Sequence, residues 1–114
     1  MNLEITPEVI VKQLGLGNTQ SVLDQTKNAI KNTKNFDMFS KHIIGLNDKL
    51  KHMNGYIALS NSEPYFKIKC DFTNDTKEII NEFIQEVNHF SQKYHVNLKK
   101  VDNKEVYYIL GRDA

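Results

Sequence analysis

The chain has 114 residues, of which 39% are hydrophobic and 25% are charged, with 15 Lys and Arg against 14 Asp and Glu. This is the length of one globular domain with a single core. A formal net charge of +1 gives no general attraction to nucleic acid or to an anionic membrane. A single cysteine excludes an internal disulfide and a cysteine-rich zinc site.

The location of the chain is predicted from its apolar runs. No run approaches the roughly 18 residues of a membrane span, and residues 1–7 lack the basic and apolar regions of a secretory signal. The many asparagines and lysines are typical of an AT-rich bacterial genome. We therefore expect one cytoplasmic domain over residues 1–114, with a helical region at 1–54 and a sheet-and-helix unit at 55–114.

The N-terminal half is predicted to be helical. Thr6-Pro7-Glu8 has the cap, the proline and the acid of a helix start, and Gly15 is a natural stop. Asn18 or Thr19 can cap a second helical region that runs to about Gly55. The chain from residue 19 to 54 is either one kinked helix or a helical hairpin, with the break at residues 35–37.

Two apolar stripes with 4-3 spacing, the spacing of a coiled-coil seam, run along this region. The first consists of Val22, Thr26, Ala29, Thr33 and Phe36. The second, which we call the seam, consists of Phe39, Ile43, Leu46, Leu50 and Met53. The seam either packs against the chain's own sheet and first helices or pairs two chains. We favour a homodimer through the seam, because a single helix already covers the predicted sheet.

After Gly55 the period of the apolar residues changes to two. Residues 56–60 and 65–72 predict a β-hairpin, and Asp75-Thr76-Lys77-Glu78 predicts a capped helix that continues to Tyr94. Two further strands, at about 96–101 and 105–110, turn through Asp102-Asn103. The expected fold is α+β, with N-terminal helices before a β-β-α-β-β unit. Its four-stranded sheet is largely antiparallel, with the Ile79–Tyr94 helix on one face.

Residues 7–34 carry an alternative function. A short helix, a Leu-Gly-Leu turn and a capped second helix are similar in order to a DNA-binding helix-turn-helix. Three lysines could contact phosphates, at Lys27, Lys31 and Lys34. The predicted second helix begins without an arginine, the usual reader of the major groove. A simple helical corner is the interpretation that we favour for this segment.

A second nucleic-acid surface is conceivable on the predicted sheet. Tyr65, Lys67 and Lys69 alternate with buried positions and share one face, where aromatic and basic side chains can stack bases and hold phosphates. The same alternation is typical of any solvated antiparallel face, which is the interpretation we favour here.

Candidate catalytic and metal-binding residues are sparse. Glu86 and His89 have the E-x-x-H spacing of di-iron helices, but that chemistry requires a second motif and two further glutamates. Cys70 alternates with core positions and is expected to be a buried thiol. We expect no enzyme activity, no metal and no cofactor. The sequence favours a small non-enzymatic binding or regulatory module that self-associates through its N-terminal helical region, with DNA binding by residues 7–34 as the alternative.

Overall fold

A computed structural model describes residues 6–17, 19–60, 62–70, 77–101 and 106–113. Four α-helices and a four-stranded sheet are present, which confirms the predicted α+β fold. In chain order the elements are α1 (Pro7–Leu14), α2 (Gln20–Asn32), α3 (Ser40–Leu50), β1 (Gly55–Leu59), β2 (Phe66–Cys70), α4 (Lys77–Tyr94), β3 (Val96–Lys100) and β4 (Val106–Arg112). Single 3₁₀ turns at Phe36–Met38 and Lys51–Met53 flank α3.

The first two helices begin and end where their capping residues place them. Thr6 Oγ1 accepts a hydrogen bond from the Val9 N–H at 3.3 Å, and Thr19 Oγ1 accepts one from the Val22 N–H at 3.2 Å. Gly15 ends α1 in the left-handed conformation, with φ of 66°. These contacts satisfy backbone groups that a helix end leaves unpaired.

The long helical region is broken into two separate helices rather than forming one kinked helix. Regular helix stops at Asn32, Asn35 adopts a φ of 55°, and α3 begins only at Ser40. Within the break, the Lys34 N–H donates to the Leu110 carbonyl at 3.3 Å, and the Arg112 N–H donates to the Lys34 carbonyl at 2.8 Å. The chain leaves the helix at Lys34 because its backbone joins the sheet there.

The sheet has the strand order β1-β2-β4-β3, with all neighbours antiparallel. Both predicted hairpins therefore form, and α4 carries the chain from β2 across to the far edge. The predicted capping residues Asp75 and Thr76 and the predicted turn at Asp102-Asn103 lie outside the described residues. On the outer edge of β1, the buried Asn47 side chain of α3 accepts a hydrogen bond from the Ile57 N–H at 2.9 Å.

One hydrophobic cluster joins both halves of the chain. The N-terminal helices contribute Ile10, Leu14 and Ala29, and they pack into the core, α1 against α3 and β1 and α2 against β1. The sheet contributes its inward residues, the helix α4 contributes Phe83, Val87 and Phe90, and Cys70 is buried among them as predicted. Aromatic contacts cross the junction, since the Phe36 ring stacks on Phe66 with centroids 5.6 Å apart.

The seam lies inside this core. Phe39, Ile43, Leu46 and Leu50 are at most 3% exposed within a single chain, and Met53 is half-buried against the same cluster. The premise of the dimer prediction, that the chain could not cover these side chains itself, is therefore wrong, because β1 and α4 both contact α3. A homodimer stays a prediction, but these five residues are not a free surface for it.

Candidate functional site

The face of the sheet opposite the helices carries two rows of tyrosine and lysine. Residues that are directly paired on neighbouring strands point to the same side, so the strand register defines both rows. One row is Tyr56, Lys69 and Val106, across β1, β2 and β4. The other row crosses all four strands and consists of Ala58, Lys67, Tyr108 and Lys99. We call these two rows, together with Tyr65, the open face.

The open face is accessible in the single chain. Tyr56 is 39% exposed, Lys99 is exposed, and Lys67, Lys69 and Tyr108 are half-buried along their stems. A shallow depression of about 330 Å³ runs between the two lysines of β2 and Tyr108. The alternate residues of β2 and β4 point the other way and form the floor of the core. The rigid core therefore fixes the spacing of the open-face side chains.

The β1–β2 loop supports one end of the open face. The Tyr65 and Tyr108 rings lie with centroids 6.3 Å apart, and the Tyr108 hydroxyl is 3.4 Å from Ser62 Oγ. Hydrogen bonding, first from Ser62 and then from Ser60, lowers the pKa of the Tyr108 phenol. The Ser60 hydroxyl also accepts from the N–H groups of Ser62 and Glu63, so the loop is tied together at this point.

The arrangement has the parts of a single-strand nucleic-acid surface. Tyrosine faces can stack bases, and ammonium groups beside them can hold phosphates. Glu63 lies at the rim, and its negative charge raises the pKa of Tyr108. The same charge would repel a bound anion. The positive charge of Lys67 lowers the pKa of the same phenol, so positive and negative charges both act at this end of the open face.

The structure brings some predicted residues together and separates others. Tyr65, Lys67 and Lys69 share the open face as the alternation indicates. Lys27 and Lys31 are exposed on α2 and belong to neither row of that face. Lys34 follows the end of α2, and its Nζ lies 3.4 Å from Asp113 Oδ1. The three lysines proposed for duplex DNA therefore do not form one row on one helix.

Three further members of the open face were not singled out from the sequence: Tyr56, Lys99 and Tyr108. The alternation within each strand predicts which face of the sheet each of them occupies. Their juxtaposition depends on the strand order β1-β2-β4-β3, and no local pattern encodes that order.

The E-x-x-H pair lies elsewhere, on α4. Glu86 Oε1 is 3.6 Å from the Lys49 Nζ, and His89 is exposed. In the parts of the chain that the structure describes, no group of three or more His, Cys, Asp or Glu side chains is placed to hold a metal ion. The Cys70 Sγ donates to the Met53 carbonyl at 3.2 Å inside the core.

Comparison of the chain with protein-family models, with curated proteins and with solved structures finds no match. Within the described ranges, no helix is both long enough and apolar enough to cross a membrane.

Proposed function

We propose that this protein is a small non-catalytic binding module that holds single-stranded nucleic acid on its open face. The observation that carries the proposal is the pair of cross-strand rows, which place lysine next to tyrosine on neighbouring strands of a rigid sheet. In the sequence only Tyr65, Lys67 and Lys69 supported such a surface. The register adds two tyrosines and a lysine to them.

The geometry suits a flexible strand better than a duplex. The aromatic rings lie on the sheet itself, where unstacked bases can reach them, whereas paired bases present only their edges. Three lysines on the face, Lys67, Lys69 and Lys99, can each neutralise a phosphate. With three phosphate contacts on a single strand, the logarithm of the affinity should fall with the logarithm of the salt concentration with a slope of about −2.

The experiment is a fluorescence-anisotropy titration of the full chain with labelled oligothymidylate and oligouridylate of about ten nucleotides. Raising the salt from about 50 to about 200 mM should weaken binding about 20-fold if all three lysines contact phosphate. Tyr108→Ala should weaken binding by about 5- to 100-fold, because stacking on one aromatic ring contributes about 1–3 kcal/mol.

Two variants serve as controls. Tyr108→Phe keeps the ring and removes the hydroxyl that approaches Ser62, so it should bind nearly as tightly as the parent chain. Lys27→Gln removes an exposed lysine on α2, which belongs to neither row of the open face, and should leave binding unchanged. Undetectable binding at low salt, or equal binding by Tyr108→Ala and the parent chain, would refute the proposal.

Duplex DNA binding by residues 7–34 is the second candidate function. It is favoured by the capped α1–turn–α2 arrangement and by the exposure of Lys27 and Lys31 on α2. At the start of α2, however, Gln20 Nε2 donates to Asp24 Oδ1 at 2.9 Å, which occupies two polar side chains that could read bases. Binding of a duplex that is weakened by Lys27→Gln with Lys31→Gln, and not by Tyr108→Ala, would support this candidate instead.

A further inference from the structure

A second cluster of charged side chains lies on the opposite side of the sheet, in a groove of about 110 Å³ between α3 and α4. Three lysines line it, namely Lys41 and Lys49 from α3 and Lys93 from α4. Glu86 is the carboxylate in the lining, and its Oε1 lies 3.6 Å from the Lys49 Nζ. Among the described residues, neither Lys41 nor Lys93 has a carboxylate within ion-pair distance. The groove therefore carries two ammonium charges beyond the paired one.

An aromatic stack forms one wall of this groove. The His42 ring lies against the Tyr94 ring, with centroids 3.8 Å apart and planes inclined by 13°. The Lys93 Nζ is 5.5 Å from the centroid of the same Tyr94 ring. Burial lowers the pKa of His42, and the charges of Lys41 and Lys93 lower it further. At neutral pH the imidazole is therefore uncharged and offers one N–H donor beside the two ammonium groups.

Gly45 keeps the groove open on the side of α3. A Cβ added at this residue would meet nothing within 4 Å, so the glycine is not required by close packing. Glycine inside a helix lowers its stability relative to alanine. No close packing at Gly45 offsets this loss of stability. The space that the missing side chain leaves is part of the groove.

We propose that the α3–α4 groove binds a small phosphate-bearing anion, either inorganic phosphate or a phosphate monoester, between Lys41 and Lys93 and beside the His42 ring. A phosphate dianion matches the two ammonium charges in number, and its oxygens accept hydrogen bonds from both ammonium groups and from the imidazole. The other titratable groups of the lining are the Lys49–Glu86 pair, which is already neutralised, and the exposed His89. This site is separate from the open face and does not depend on nucleic-acid binding there.

The test is a proton NMR titration of the histidine rings of the full chain, in chloride and in phosphate at equal ionic strength. A bound phosphate opposes the field that the two lysines impose, so the pKa of His42 should rise towards its ordinary value of 6.5, although burial of the ring continues to lower it. The exposed His52, in the turn after α3, is the internal control and should not respond.

Variants decide whether the lysines hold the anion. Lys41→Gln with Lys93→Gln should weaken phosphate binding by about tenfold or more, because each charged hydrogen bond is a substantial part of the affinity. Lys27→Gln, on α2, should leave it unchanged. Gly45→Leu, which fills the groove from a helical position with free space, should also abolish binding while the far-ultraviolet circular dichroism stays that of the folded chain.

Comparing two ligands distinguishes free phosphate from a phosphate monoester. Tighter binding of phenyl phosphate than of inorganic phosphate would assign the groove to a monoester, and equal or weaker binding would assign it to free phosphate. Equal responses of His42 and His52 to phosphate would overturn the proposal. Parental affinity in either the double lysine variant or folded Gly45→Leu would also overturn it.

Discussion

Substitution of Gly111 by alanine should strongly destabilise the fold, because Lys34 lies directly against this glycine. A Cβ at residue 111 would lie against the Lys34 nitrogen, 2.5 Å from the Lys34 carbonyl oxygen and 2.8 Å from the Lys34 Cβ. The φ of Gly111 is 126°, a conformation that an alanine adopts only with strain. The added methyl group cannot be accommodated by rotating a side chain, since two of the three atoms are backbone.

The expected loss of stability follows from the contacts between Lys34 and β4 that the added methyl group displaces. Separating Lys34 from β4 lengthens or breaks two backbone hydrogen bonds, each contributing about 0.5–1.5 kcal/mol. The strained backbone adds about 1–3 kcal/mol. We expect Gly111→Ala to lower the free energy of unfolding by about 4 kcal/mol, a large share of the 5–15 kcal/mol typical of a domain. The melting temperature should fall by about 15 °C.

The assay is urea unfolding monitored by circular dichroism, with a matched control at another glycine. Gly45→Ala makes the same chemical change in a helix interior where the new methyl group meets nothing within 4 Å. It should raise the free energy of unfolding by about 0.5–1 kcal/mol. If Gly111→Ala proved as stable as the parent chain, the tight Lys34–Gly111 contact would be wrong.

Three further predictions concern the core and the groove. Asn47→Ala removes the acceptor of the Ile57 N–H and should cost about 1–3 kcal/mol in urea unfolding, while the exposed Asn88→Ala stays within about 0.5 kcal/mol of the parent. Leu50→Glu should unfold the chain, because it places a charge in the core. If circular dichroism shows the variant folded, and light scattering shows it monomeric while the parent chain is dimeric, the result would instead support a seam dimer. The pKa of His42 is lowered in the folded state, so the unfolded state takes up the proton first. The free energy of unfolding in phosphate-free buffer should therefore fall as the pH drops below about 6.5, and His42→Gln should flatten this dependence in urea titrations at several pH values.

Much of the fold was predictable because local chemistry specifies it. The Thr6 and Thr19 caps, the Gly15 stop and the alternation at residues 66–72 predict where helices and strands occur, and the structure agrees for the residues it describes. The 4-3 spacing correctly indicated that the seam is an apolar face that must be covered. It could not say what covers the seam, because a coiled-coil pattern and a helix packed on a sheet have the same spacing.

The functional surfaces were only partly predictable, since they depend on which strands and helices become neighbours. Lys67 and Lys69 are two residues apart on β2, so their common face was evident. Tyr108 joins them only because β4 pairs with β2, and Lys99 only because β3 pairs with β4. His42 and Tyr94 are far apart in the sequence, and their stack required the packing of α3 on α4.

The contact between Lys34 and β4 has a consequence for how the chain is made. The Asn35 side chain bonds to the Arg112 carbonyl across 77 residues of sequence, so this closure spans most of the polypeptide. Contacts of such long range form slowly, because the intervening chain must be ordered first. During synthesis β4 leaves the ribosome after the four helices and the other three strands described here, so the junction between α2 and α3 is completed only after β4 has been made. A nascent chain in which residues 106–113 have not yet been made leaves Lys34 and Asn35 without their hydrogen-bond partners on β4, so the junction between the two helices stays open until that strand pairs.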